Sequence, residues 1–283
     1  MSMVLVTGAT GFIGRHLVGR LISEGMHVRA LVLPNETTSE LEQYGAEIVR
    51  GNVSDYPSVE RAASNCRRIF HLAARTEASG SSRKELIGVN VRGTENVARA
   101  AKSASVDRLV FCGSGGAYYG KDFSDRAISE GTKPCPDSPY GRSKFEAEKV
   151  LMFHHRRAKL PVVVARINEV LGPGAMSWLP LFRAIAAGAF RLIGRGSNFH
   201  HTSDVADVVE GLILCGTVPR IEGQTFLLAG TEPVRLRDLV VLIAEAVGAP
   251  EMPSSLPEWP FRLYQRVNRL QFSWTGRRLP RMD

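Results

Sequence analysis

The chain has few cysteines, few aromatic residues and no long apolar run. Four cysteines, Cys66, Cys112, Cys135 and Cys215, stand among 283 residues, and no two of them form a CxxC pair. That argues against a disulfide-stapled secreted fold and a thiolate zinc site, and predicts reduced thiols in a cytoplasmic protein. No apolar stretch reaches the roughly 20 residues of a membrane-spanning helix. Met3-Val4-Leu5-Val6 leads directly into a glycine turn, which is not a signal-peptide pattern. Repeats and low-complexity tracts are absent. His200 and His201 are adjacent, a poor arrangement for two metal ligands, and no third cluster supports them. No metal is expected.

Acidic residues are also in deficit: 28 stand against 36 lysines and arginines, a net charge of +8. The excess is local. Arg262, Arg266, Arg269, Arg277, Arg278 and Arg281 face only Asp283 near the C-terminus. The rest of the chain is almost balanced, so the footprint of a nucleic-acid-binding surface is missing. Leu263, Val267, Leu270 and Trp274 form a helical apolar stripe among these arginines. Such a stripe is expected to dock on its own protein or on a second subunit of a homodimer, rather than on a membrane.

What the sequence does contain is alternation. Short apolar runs at Val4–Val6, Val28–Leu33, Glu47–Val49, Arg68–Leu72, Leu109–Cys112 and Val162–Ala165 read as strands. Helical patterns fall between them at Arg15–Glu24, Val59–Ala63, Asn90–Ser103 and Gly141–His155. This predicts an α/β fold, a Rossmann-like, doubly wound parallel sheet over residues 1–170. The pattern weakens after Gly172. Residues 171–283 are expected to form a smaller substrate-binding lobe, with a possible strand or helix returning to the sheet. Helices are expected at Trp178–Ala187, after Asp204 and at Leu236–Val247, a strand at Thr225–Leu228, and a loop in the proline-rich 251–260.

The first turn carries chemistry. Thr7-Gly8-Ala9-Thr10-Gly11-Phe12-Ile13-Gly14 joins a strand to a helix. Its glycines permit a tight turn, close approach of a pyrophosphate and close helix packing. The helix N-terminus offers free N–H groups and a positive dipole end to phosphate. Where the second strand ends, at Val32 and Leu33, neither the acid that reads the ribose of NAD nor an arginine for the 2′-phosphate of NADP is present. Arg15, Arg29 and Glu36 are the nearby charges, so the choice of NAD or NADP stays open.

Tyr140 and Lys144 stand four residues apart in Pro139-Tyr140-Gly141-Arg142-Ser143-Lys144 and share one helix face. An unperturbed phenol titrates near about pH 10, and a neighbouring ammonium favours its phenolate. The pair thus suits proton exchange with a substrate oxygen.

The GxxGxxG turn, YxxxK and a serine past the fifth strand together resemble the extended short-chain dehydrogenase/reductase superfamily, specifically its NAD-dependent epimerase/dehydratase family. The resemblance covers Met3 to about Val247. It implies dinucleotide contacts at Gly8, Thr10, Gly11, Phe12, Ile13, Gly14, Asn52, Val53, Leu72, Ala73, Ala74, Asn90, Tyr140, Lys144 and Ile167. It implies Ser114, Tyr140 and Lys144 as catalytic groups, with Ser114 steadying the substrate oxygen and Lys144 orienting the nicotinamide ribose. Asn52 replaces the family's usual acid at the adenine edge. Gly115-Gly116 replaces the Asp-Glu pair of the family's dehydratases. Glu169 takes the place of a substrate-facing asparagine, either as a substrate contact or as an ion-pair partner of Arg166 or another arginine. Tyr118, Tyr119 and His201 are further candidates for the substrate pocket. Tyr118 and Tyr119 are equally suited to packing. Asp204 is expected to cap the helix that follows it.

The expected activity is NAD(P)-dependent hydride transfer between nicotinamide and a secondary alcohol or carbonyl of a small molecule. A sugar-nucleotide epimerase with retained cofactor is the enzymatic alternative. A non-catalytic dinucleotide sensor is the rival of another class, and it would be expected to have lost YxxxK.

Overall fold

A computed structural model describes residues 3–76, 80–118, 128–250 and 253–261. The expected tail helix at Leu263–Trp274 and Tyr119 lie outside the described residues.

The chain begins β1 (Met3–Thr7), α1 (Phe12–Ser23), β2 (His27–Val32), α2 (Ser39–Tyr44), β3 (Glu47–Arg50), α3 (Tyr56–Ala63) and β4 (Cys66–His71). A composite helix follows: α4 (Arg83–Leu86), a π-helical segment Ile87–Arg92, and α5 (Gly93–Ser103). Next come β5 (Arg108–Ser114), a 3₁₀ turn Gly116–Tyr118, α6 (Pro139–Ala158), β6 (Val162–Ile167), β7 (Glu169–Leu171) and α7 (Leu179–Ala186). The remainder is β8 (Leu192–Ile193), β9 (Phe199–His200), β10 (Thr202–Asp204), α8 (Val205–Thr217), β11 (Thr225–Leu228), β12 (Val234–Arg235), α9 (Leu236–Ala246) and β13 (Ser255–Leu256).

The chain divides into two compact units. The first holds the described part of residues 3–177 together with 201–233, around a seven-stranded sheet in the order β11-β6-β5-β4-β1-β2-β3. Every pairing in this sheet is parallel. Successive side chains of a strand point to opposite faces, so each strand feeds two cores. Val4 and Val6 pack with Leu17, Leu21 and Leu212 of α1 and α8. Leu5 packs on the other face with Val59, Val97, Ala147 and Leu151 of α3, α5 and α6. All six residues of β6 are buried, as expected for a parallel strand covered on both sides.

The strand order reverses between β1 and β4: β2 and β3 extend one way, β5 and β6 the other. The crevice at the carboxyl ends of such a pair is where open α/β sheets bind ligands.

The second unit holds residues 178–200 and the described part of 234–283. Its core joins Ile185 of α7 to Leu239, Val240 and Ile243 of α9. Two short ladders, β9 with β12 and β8 with β13, complete it.

The second unit starts at residue 178 rather than 171, and the return to the sheet that the sequence leaves possible is present. Residues 201–233 return to the first unit through β10, α8 and β11, which adds the seventh strand beside β6. The proline-rich 251–260 contains the short strand β13, where a loop is expected from sequence. Leu192 and Gly194 donate their N–H groups to the Ser254 and Leu256 carbonyls, and Pro253 and Pro257 flank this ladder without interrupting it. Asp204 caps α8 by accepting from the Ala206 N–H at 2.7 Å.

Candidate active site

At the reversal point β1 ends in Thr7 and enters the glycine turn. Gly8 has φ +70°, a left-handed conformation that disfavours residues with a Cβ. A Cβ there would also stand 2.6 Å from the Ala73 nitrogen, so the turn and the residues after β4 touch backbone to backbone. A Cβ on Gly14 would collide with the Gly8 carbonyl oxygen and approach Ala9 Cα to 2.9 Å. Small residues at 8, 14, 73 and 74 thus let two strand ends and a helix start converge.

Helix α1 has no side-chain cap at Gly11 and no acid in its first turn. By contrast, α3, α4, α6 and α8 are capped by Asp55, Ser82, Ser138 and Asp204. The Phe12, Ile13 and Gly14 end of α1 has the free N–H groups and partial positive charge that suit a phosphate. This cradle fits the pyrophosphate of a dinucleotide. Thr10 is half-buried within the turn, and Leu72, Ala73 and Ala74 are half-buried beyond β4.

Past β3, exposed Asn52 accepts the Ser54 N–H with its side-chain oxygen, forming a local turn. Val53 is buried, and its carbonyl accepts from the Asn96 amide at 2.9 Å. Past β2, the Glu36 carboxylate accepts the Leu33 N–H at 2.9 Å. Arg29 is committed elsewhere, to Glu47 and to the carbonyls of Ala62 and Ser64. Arg15 donates to the Gly174 carbonyl and stands 3.7 Å from Glu40. Sequence reasoning missed Arg50, whose guanidinium holds the loop after β2 through the carbonyls of Leu33, Pro34 and Glu36. Its distance along the chain hid that contact.

On the other side of the reversal point, β5 ends in the half-buried Ser114. Ser138 caps α6 and Pro139 occupies its first turn, beside the half-buried Tyr140. One turn later Lys144 is only 3% exposed. Its Nζ donates to the Cys112 carbonyl at 2.6 Å and lies 4.4 Å from the centre of the Phe111 ring. Burial lowers the Lys144 pKa, while the Cys112 thiol and the Glu148 carboxylate oppose the shift. The carbonyl, the ring and the helix leave the ammonium little freedom to turn away.

Asn90 is 1% exposed in the π-helical segment. Its oxygen accepts from the Arg75 N–H at 2.8 Å, and its amide donates to the Arg75 carbonyl and the Ser143 hydroxyl. Ser143 in turn donates to the Tyr140 carbonyl at 2.7 Å. Asn90 thus ties the backbone beyond β4 to the first turn of α6.

The substrate candidates separate. Tyr118 is fully buried and donates to the Lys144 carbonyl at 3.1 Å, a packing position. Its phenol pKa is pushed well above the usual value, first by burial and then by Glu148. His201 donates its Nε2–H to the Gly230 carbonyl at 2.6 Å. Glu169 is exposed on β7, two residues past the buried Ile167 that ends β6. Arg166 hydrogen-bonds Glu148 at 2.6 Å in a buried pair. Asn168 was not singled out from sequence. Its side-chain oxygen would lie 2.5 Å from a Cβ on Gly115, so it borders the segment just past Ser114. Among the described residues there is no group of three or more possible metal ligands, and no helix long and apolar enough to cross a membrane.

Residues 4–226 match the NAD dependent epimerase/dehydratase family. The chain belongs to that family. It is similar to the 4-hydroxy-2-methyl-3-oxo-4-farnesyl-3,4-dihydroquinoline-1-oxide ketoreductase of Stigmatella aurantiaca, with 29% identity over 89% of this chain and 75% of the relative. It is also similar to the 2-alkyl-3-oxoalkanoate reductase of Shewanella oneidensis, with 27% identity over 91% of this chain and 69% of the relative. Among solved structures it resembles the UDP-glucose 4-epimerase of Thermus thermophilus in complex with NAD. There the TM-score is 0.77 and the identity 27%, over 90% of this chain and 86% of the other. The fold is that of a Rossmann-like extended short-chain dehydrogenase/reductase, and NAD(P)-dependent hydride transfer is its class of chemistry.

Proposed function

We propose that this family member is a reductase or dehydrogenase, exchanging hydride at a secondary alcohol or carbonyl carbon of a small molecule. The bound dinucleotide would supply the redox chemistry as hydride donor or acceptor. The glycine turn and α1 would hold its pyrophosphate, with Asn52 and Val53 towards adenine and Leu72–Ala74 beside the strand ends. Ser114 would hold the substrate oxygen as charge changes on it. Tyr140 would give or take that oxygen's proton. Lys144 would orient the nicotinamide ribose and favour the charged state of the phenol.

The observation that carries the reductase reading is the similarity to two reductases. Gly115, where a Cβ would meet the Asn168 side-chain oxygen, stands in place of an acid of the dehydratase pair and so speaks against a dehydratase. The likeness to an NAD-bound epimerase supports a second reading, in which the cofactor is retained through oxidation and re-reduction.

One experiment separates them. Purified protein is denatured and its released nucleotide quantified. Turnover of NADH and NADPH is then followed by nicotinamide absorbance with 2-alkyl-3-oxoalkanoates as substrates, and UDP-glucose is tested for epimerisation. Consumption of added reduced cofactor supports the reductase. Stoichiometric retained NAD with interconversion of UDP-sugars refutes it. Tyr140→Phe is expected to lower turnover at least about a hundredfold while dinucleotide binding persists. Unchanged turnover would remove Tyr140 from the mechanism.

A further inference from the structure

We propose that His71 is a positioning residue, held as the Nε2–H tautomer in a one-directional hydrogen-bond chain from the phosphate-binding strand to the helix turn that presents Tyr140. The proposal rests on the assignment of Tyr140 to proton exchange.

The direction follows from donor counting. The Asn90 carbonyl can only accept, so the Thr94 hydroxyl spends its single proton there, at 2.6 Å. Thr94 must then accept from His71 Nε2, which lies 2.9 Å away. Nε2 therefore carries the ring proton. At the other end, Nδ1 lies 2.7 Å from the Thr7 hydroxyl. Thr7 receives the Ala73 N–H at 3.3 Å and directs its own proton to Nδ1. Beyond Thr94 the link passes through Asn90 to Ser143 and the Tyr140 carbonyl.

Each component is placed to be rigid. Thr7, His71, Asn90 and Thr94 are at most 1% exposed, and Ser143 is 4% exposed. The charged group beside the ring is the Lys144 ammonium from α6, and Phe111 of β5 packs at 5.7 Å. Burial and that ammonium hold the imidazole neutral, with its pKa lowered to about 3. The two elements tied together are the ones that must keep register: β1, which delivers the glycine turn, and α6, which delivers the phenol. The π-helical segment carries Asn90 between them, and such segments recur at functional sites.

The test begins with the unmodified full-length protein. Nitrogen NMR of histidine-labelled enzyme is expected to show one imidazole in the Nε2–H tautomer that does not titrate between about pH 8 and 5. Thr7→Val, which removes the donor to Nδ1, should perturb that resonance and assign it. A fast-titrating or Nδ1–H ring would overturn the proposal. The second arm compares Thr94→Val with Thr94→Ser. Rates are normalised to dinucleotide-binding sites, so loss of folded protein does not count. Thr94→Val should lower kcat about tenfold or more with the dinucleotide KM within about twofold, as expected when a reacting group is displaced slightly. Thr94→Ser should restore kcat. Equal kcat in all three forms, or a loss seen only in KM, overturns the positioning role. If the NMR result holds while Tyr140→Phe is fully active, the assignment of Tyr140 has failed and the tautomer lock has not.

Discussion

Replacing Glu148 with alanine should unfold this protein far more easily than its distance from the reacting groups suggests. Glu148 lies on α6, one turn beyond Lys144, and accepts from Arg166 of β6 at 2.6 and 3.1 Å. The two side chains are 7% and 6% exposed. The Arg166 guanidinium also sits 5.2 Å from the Tyr118 ring, whose hydroxyl bonds the Lys144 carbonyl. Truncating Glu148 takes from the buried Arg166 guanidinium a carboxylate that it hydrogen-bonds twice. Breaking a buried pair in this way costs about 3–5 kcal/mol. For a unit of this size each kcal/mol shifts Tm by roughly 2–4 °C, so the variant should melt on the order of 6–20 °C lower. Urea unfolding followed by far-ultraviolet circular dichroism is the suitable assay, because the described tryptophans, Trp178 and Trp259, lie outside the sheet-bearing unit. Replacing both partners, Glu148→Leu with Arg166→Met, should recover most of the loss, since the buried cation is removed together with its buried carboxylate. A single variant that loses less than about 1 kcal/mol, the range of an exposed pair, would refute the reasoning.

Three further outcomes are expected. The folded-state pKa of His71 is lowered to about 3, so between there and its ordinary value near 6.5 the unfolded chain binds the extra proton. This site therefore contributes stability above about pH 6.5 that is lost as pH falls, with a slope of at most about 1.4 kcal/mol per unit. Comparing urea midpoints at pH 7 and 5 in the protein and in His71→Gln should show a smaller drop in the variant, and equal drops would contradict the burial argument. Gly14→Ala forces the turn away from α1 and should weaken dinucleotide binding by about tenfold or more, with a strain cost of about 1–3 kcal/mol, measured by nucleotide titration and thermal unfolding. Wild-type affinity in that variant would mean the turn yields freely. Glu169→Gln should change the kinetics of substrate use with dinucleotide affinity unaltered; identical kinetics would remove Glu169 from the substrate surface.

The order of strands and helices in the first half was legible because parallel strands covered on both faces read as apolar runs. Val162–Ala165 is such a run, and β6 is buried throughout. Gly8, Gly11 and Gly14 announced their turn, since they fall where a strand gives way to a helix. Other elements left weaker marks. The short helix α2 offers a single buried side chain, Leu41, too little to show periodicity. Strand β13 has two residues and is specified by its pairing with β8.

By itself, then, the sequence determined those things that depend on neighbours along the chain: the glycine turn, the cap at Asp204, and Tyr140 and Lys144 on one helix face. Their cause is local steric and hydrogen-bonding chemistry, which a short segment carries wholly within itself. Tertiary structure alone decided that 201–233 returns beside β6, that Arg166 is matched to Glu148, and that Asn168 crowds Gly115. It also decided that His71 is buried between Thr7 and Thr94, partners 64 and 23 residues away along the chain. Such pairings arise because a buried polar group must find a partner wherever packing puts one, and packing brings together strand ends that lie far apart in sequence.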